Sequence, residues 1–189
     1  MSTSEITTTE FPPLPNIQIN TYSAEIVDEP KVPASLKIKK ADSVFFEGII
    51  GIEIRGETSQ YFDKKSYGFE TWDEEGEDLN VSLAGYPEEE DWILYGPYSD
   101  KSLIRNVLIY NLSNQIGRYA TKTKLYNLTI NNEFLGVYVL MEKIKRDKNR
   151  VDISKNKSED ISGGYIIKID KPTGDGDSFN SDIAFMSEY

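Results

Sequence analysis

The sequence predicts an α+β fold, a mostly antiparallel sheet that carries one main packed helix. Three observations predict it: short segments alternating apolar and polar side chains with a period of two, one stretch with apolar residues at three- and four-residue steps, and an Asn-Asn pair between two alternating runs.

Residues 1–16 are polar apart from Phe11-Pro12-Pro13-Leu14-Pro15 and read as a disordered lead or linker, because proline withholds backbone donors and the Ser/Thr stretch has little to bury. Ile17 and Ile19 then alternate with polar residues, and Leu36 and Ile38 alternate with lysines over residues 34–40, each pattern suiting a half-buried strand. Residues 48–56 form a longer strand with Ile50, Ile52 and Ile54 on one face, and Gly56 permits a sharp departure from it. Residues 67–71 read as its antiparallel partner. The connection over 57–65 is longer than a tight hairpin and polar, the kind of segment that carries function. Residues 72–78 and 88–91 are acidic and read as solvated surface. The first of them lacks the spacing and terminal Glu of a calcium-binding EF-hand loop, so no metal site is expected there.

Ser99 and Asp100 offer capping oxygens to a helix over 101–116, in which Leu103, Ile104, Val107, Leu108 and Leu112 make a stripe expected to pack on the sheet. Gly117 closes it. Residues 123–131 and 134–144 alternate on either side of Asn131-Asn132, which predicts a hairpin, since Asn tolerates positive φ. A basic loop follows with Lys143, Lys145, Arg146, Lys148 and Arg150. Residues 165–170 alternate again as a last strand, and 173–180 read as a Gly/Asp/Ser loop.

The charge balance excludes whole classes of function. With 21 Lys plus Arg against 32 Asp plus Glu, the net charge is -11 over 189 residues, which disfavours binding to nucleic acid backbones. The chain has no histidine and no cysteine, so imidazole bases, Ser-His and Cys-His triads, thiolate metal sites and disulfides are absent. No apolar run approaches the roughly 20 residues that span a bilayer, so no membrane partner is expected, and the polar start lacks the apolar core of a signal peptide. A soluble chain is expected, with an origin in an exported, cell-surface or spore-coat protein left open.

Four segments in order carry a more specific signal: Arg55-Gly56-Glu57-Thr58-Ser59, Lys64-Lys65-Ser66-Tyr67, Leu103-Ile104-Arg105-Asn106, and residues 136–144, Gly-Val-Tyr-Val-Leu-Met-Glu-Lys-Ile. With Asp91-Trp92-Ile93-Leu94-Tyr95-Gly96-Pro97 and Gly163-Gly164-Tyr165, they make the chain resemble the CotH family, the spore-coat protein H type of atypical protein kinase, from about Ile17 onward. The resemblance implies a β-rich kinase-like N-lobe over 17–160 and the start of a second lobe over 161–189. It implies phosphoryl transfer from ATP, with Mg or Mn, to Ser/Thr hydroxyls of a protein substrate, chemistry that needs neither histidine nor cysteine.

On that resemblance Lys64 or Lys65 is placed like the lysine that holds the phosphates. Lys65 is favoured because it shares a strand face with Tyr67 and Phe69. Arg55, Gly56 and Ser59 resemble the turn over the nucleotide, and Met141, Glu142 and Ile144 occupy the place of the hinge that meets the adenine. Glu142 has a second reading as ion-pair partner of the lysine. The predicted helix holds no acidic residue, so the usual Lys-Glu pair does not transfer to it. In the family the catalytic acids lie beyond the Gly163-Gly164-Tyr165 segment. Of the late carboxylates, Asp170, Asp175, Asp177 and Asp182 match none of them, so no catalytic residue is assigned and an incomplete site is expected. The competing reading is a non-catalytic β-rich surface module binding carbohydrate or protein through Trp72, Trp92, Tyr95 and Tyr98.

Overall fold

Seven strands close into a barrel in the order β1-β2-β3-β4-β5-β7-β6. They are β1 (Asn16–Asn20), β2 (Val32–Lys40), β3 (Ser43–Arg55), β4 (Ser66–Trp72), β5 (Asp91–Tyr95), β6 (Thr123–Ile130) and β7 (Glu133–Glu142). The structure is a computed structural model and describes residues 13–155 and 163–167. Among them no helix is long and apolar enough to cross a membrane. Contacts divide the chain into one unit ending at Asp152 and a second beginning at Ile153.

Strand directions alternate around the ring except once. A closed ring of seven cannot alternate throughout, and the exception is the parallel pairing of β1 with β6, Ile17 opposite Leu128 and Ile19 opposite Ile130. β5 and β6 therefore run the same way with β7 between them. A chain that returns to a parallel strand needs a crossover of a dozen residues or more, and this one carries α1 (Arg105–Gln115), the only α-helix among the described residues.

That architecture corrects the expected α+β class. The strands alone build the main core: Ile17, Leu36, Ile50, Ile52, Trp92, Leu94, Leu128 and Leu140 are wholly buried inside the barrel. Each such side chain contributes about 1.5–3 kcal/mol over its exposed state. α1 has no buried residue. The stripe expected to face the sheet is outside, with Leu108 64% and Leu112 48% exposed, while Val107 and Tyr110 pack on the outer-wall cluster of Ile93, Val139 and Met141. The barrel fills its own interior, so the helix has only this small patch to cover.

Asn131 and Asn132 take positive φ, 49° and 67°, at the β6–β7 turn. The helix begins at Arg105 rather than at 101, with Ile104 at its N-cap, although the Asp100 carboxylate accepts from Arg105 N–H at 2.8 Å, and Gly117 takes φ 76° past the end of α1. Tyr165, Ile166 and Ile167 have no strand pairing. The rest of that expected strand, the loop over 173–180, most of the N-terminal lead and the four late aspartates lie outside the described residues.

The acidic run over 88–91 is solvated only at Glu88. Glu89 and Asp91 are 2% and 8% exposed. The basic loop after β7 folds back on them: Lys145 Nζ lies 2.7 Å from Glu89 and 2.8 Å from Asp91 and also bonds Glu90, Lys143 Nζ lies 2.7 Å from Asp91, and Asn149 donates to the Glu88 carbonyl at 2.8 Å. This strap closes the end of the barrel where β5 and β6 begin.

Candidate functional site

The opposite end, where β3 ends and β4 and β7 begin, gathers most of the sequence motifs. Arg55 pairs in register with Ser66, the residue after Lys65. Ser66 Oγ accepts from Gly96 N–H at 3.1 Å, and a Cβ on Gly96 would lie 2.5 Å from the Lys65 carbonyl and 3.2 Å from Lys64 Cγ. Glycine at 96 thus lets the Lys64-Lys65 backbone approach β5. From the other side, Lys64 Nζ donates to the Leu135 carbonyl at 2.9 Å and sits 4.2 Å over the Tyr138 ring. A Cβ on Gly136, where φ is 84°, would lie 3.4 Å from that ammonium. Three segments far apart in sequence, Lys64-Lys65-Ser66, the Gly96 strand end and Gly136-Val137-Tyr138, converge on one lysine.

The two lysines are not equivalent. Lys65 lies just before β4 and turns back, donating to the carbonyls of Gln60 at 2.6 Å and Phe62 at 2.7 Å. Two of its three donors are spent on its own loop. Lys64 makes one hydrogen bond, and burial pulls its ammonium below the ordinary lysine pKa, the environment in which a bound anion restores the charge. Lys65 precedes the ladder, which begins at Ser66, so strand parity does not direct its side chain.

Arg55 is exposed and has no ion-pair partner among the described residues. It lines a cleft of about 20 Å³ with Lys31, Lys143, Gly68 and the carboxylates Glu53 and Asp91. That volume holds about one water. The turn that follows is fixed locally: Gly56 takes φ 99°, Ser59 Oγ donates to the Arg55 carbonyl at 3.2 Å, and a Cβ on Gly56 would come within 2.2 Å of that hydroxyl oxygen. Lys31, which bridges Glu53 at 3.3 Å and Glu70 at 3.0 Å beside the cleft, was missed by sequence reasoning because only strand pairing brings it there.

Met141, Glu142 and Ile144 lie at the other end of β7. Gly136 and Ile144 are eight positions apart, roughly 26 Å at the rise of a strand. Glu142 is 1% exposed, with one carboxylate oxygen 3.2 Å from Arg150 Nη1 and the other accepting from Lys122 N–H at 3.0 Å. It pairs with Arg150, not with Lys64 or Lys65. Met141 packs outward beneath α1, and Ile144 is exposed beyond the ladder. The expected set is thus brought together in part: Arg55, Ser59, Lys64 and Lys65 at one end, Met141, Glu142 and Ile144 at the other.

A family model, that of the CotH kinase protein, matches residues 52–188, well over half of the sequence. The chain belongs to the CotH kinase protein family. No curated protein matches it. The CotH match takes in β3 from Ile52, the Lys64-Lys65 rim, α1 and the β6–β7 hairpin, and leaves β1 and β2 outside.

The cofactors that CotH membership suggests fit this chain unequally. Lys64 and Arg55 suit the oxygens of a triphosphate, one half-buried with donors to spare and one unpaired. No divalent-cation site is assigned among the described residues. Their one carboxylate group with metal-like spacing, Glu89, Glu90 and Asp91, lies at the strapped end with Lys145 against all three. The aromatic residues of the competing surface-module reading are mostly engaged in packing: Trp92 is wholly buried, Trp72 covers Gly51, and Tyr98 stacks on Phe62 at 4.8 Å.

Proposed function

We propose that this CotH-family chain binds ATP at the Lys64 end of the barrel and serves transfer of its terminal phosphoryl group to Ser/Thr hydroxyls of a protein substrate. The observation that carries the reading is the convergence of three family-like motifs on Lys64, together with an unpaired arginine in register with Ser66, two residues after Lys64. Lys64 and Arg55 donate charge-assisted hydrogen bonds to phosphate oxygens. Lys65 keeps one donor for the ligand and holds the Gln60–Phe62 turn in place with the others. No described carboxylate is assigned to the hydroxyl proton or to Mg or Mn.

Calorimetric titration of ATP, with and without Mg or Mn, into the chain and its Arg55→Ala, Lys64→Ala and Lys65→Ala variants tests this. Loss of a charge-assisted bond is worth about 1.5–3 kcal/mol, so Arg55→Ala and Lys64→Ala are expected to weaken binding about tenfold or more, and Lys65→Ala less. Absence of ATP binding under every condition, or affinity unchanged in both variants, overturns the reading.

A further inference from the structure

We propose that the outward face of α1 is a docking surface for an acidic polypeptide segment that lays apolar side chains on it, independently of nucleotide binding. Ile104, Leu108, Leu112 and Ile116 follow one another at steps of four, and Ile109 lies on the same side; they are 45%, 64%, 48%, 69% and 57% exposed. Residues at this spacing share one helical face. The opposite face is the one in use, through Val107 and Tyr110. The helix therefore holds to the barrel by its poorer side and presents its richer one, over roughly 18 Å at 1.5 Å per residue. A contiguous aliphatic stripe of this kind marks an interaction site.

Charge identifies the occupant. The chain has 32 acidic residues, yet residues 101–132 contain no Asp or Glu and five Lys or Arg. Lys124 is spent on the Ala84 carbonyl, and Lys122 faces Glu142. Lys101 remains at one end of the stripe and Arg118 at the other, while Arg105, its side chain 76% exposed, is ion-paired with Asp100 at 3.5 Å. The result is an aliphatic strip with a cationic rim on a molecule of net charge -11. A partner segment with leucine-like anchors and Asp or Glu around them complements both features, as an amphipathic helix does in a groove.

Two other occupants fit less well. A second copy related by a twofold axis sets the Lys101-Arg105 end of one helix against Arg118 of the other in the antiparallel arrangement, cation against cation. An anionic lipid surface attracts the rim but repels a body of this net charge, and the stripe has none of the Trp or Phe that anchors interfacial helices.

The test uses a dye-labelled 16-residue amphipathic peptide with Leu on one face and Glu elsewhere, a matched peptide with Lys in place of Glu, and phosphatidylglycerol vesicles. The full chain is compared with Leu108→Gln/Leu112→Gln and Arg105→Glu/Arg118→Glu variants of unchanged urea midpoint. Fluorescence anisotropy is expected to show binding of the Glu peptide, at least tenfold weaker in either variant, no binding of the Lys peptide to the parent chain, and a switch toward the Lys peptide on charge reversal. Equal binding of both peptides, no binding of the Glu peptide, or Glu-peptide binding insensitive to Leu108→Gln/Leu112→Gln overturns the proposal. Vesicle binding lost in the leucine variant gives the face to lipid, and concentration-dependent dimerisation lost in that variant gives it to a second copy; either also overturns it.

Discussion

The Arg150 guanidinium lies over the Trp92 indole, 4.7 Å from the ring centroid, and plugs the strapped end of the barrel. Its side chain is 0% exposed, and its one charged partner, Glu142, is 3.2 Å away and 1% exposed. The basic loop thus ends as a core residue, holding β7 and β5 together where the first unit of the chain finishes.

Removing one member of a buried pair leaves an uncompensated charge, at about 3–5 kcal/mol. Arg150→Ala and Glu142→Ala are each expected to lower unfolding stability by roughly that amount in urea titrations followed by tryptophan fluorescence. The Arg150→Met/Glu142→Leu double variant should lose less than either single change, because no orphan charge remains. Equal and additive losses would show that the two charges do not depend on each other.

The strap also sets a pH dependence. Burial pushes the Asp91 carboxyl up, but hydrogen bonds from Lys143 and Lys145 outweigh it and leave its pKa below the ordinary value. A depressed carboxyl contributes stability that is complete above its unfolded pKa, about 3.9, and is lost as pH falls through the lower folded value. Burial pulls Lys145 down, and bonds to Asp91, Glu89 and Glu90 more than offset it, so its pKa is raised. Its contribution is complete below about pH 10.4 and is lost as pH rises through the folded value. Asp91→Asn should flatten the stability profile on the acid side, and Lys145→Met on the alkaline side, in urea midpoints measured across pH.

Asn131 and Asn132 share a turn but not a role. Asn131 Oδ1 accepts from Thr21 N–H at 2.9 Å and its amide donates to Thr21 Oγ1 at 2.9 Å, tying the turn to the end of β1, whereas the Asn132 side chain has no such bond. Asn132→Gly is expected to be neutral within about 0.5 kcal/mol. Asn131→Gly should cost about 1–2 kcal/mol from its two hydrogen bonds. Comparable urea midpoints for the two variants would remove Asn131 from the closure of β1 on the β6–β7 hairpin.

The two faces of α1 should respond oppositely to substitution. Val107→Ala with Tyr110→Ala strips the contact with Ile93, Val139 and Met141 and should cost roughly 1–3 kcal/mol. Leu108→Gln with Leu112→Gln changes only exposed positions and should stay within about 0.5 kcal/mol per site. The reverse order in thermal or urea unfolding would mean that the sheet covers the leucine stripe.

What the sequence by itself determined is what neighbouring residues decide. Strand alternation at Ile17/Ile19, Leu36/Ile38 and Ile50/Ile52/Ile54, the Asn131-Asn132 turn and the stop at Gly117 depend on period and on backbone preference. Membership of the CotH family was legible for a related reason, since its motifs are contiguous stretches. Tertiary structure decided the rest. A helical stripe has the same period whichever way it faces, so only the filled barrel interior shows that Leu108 points outward. A run of acids reads as solvated until Lys143 and Lys145 arrive from more than fifty residues away. Strand parity cannot aim Lys65, which precedes its ladder, nor bring Lys64 over Tyr138. Closure of β1 on β6 and of Gly136 on Lys64 joins residues far apart in sequence, and the pairing of Glu142 with Arg150 depends on how the strap folds back, so these contacts are fixed by the packing of the whole chain rather than by any local pattern.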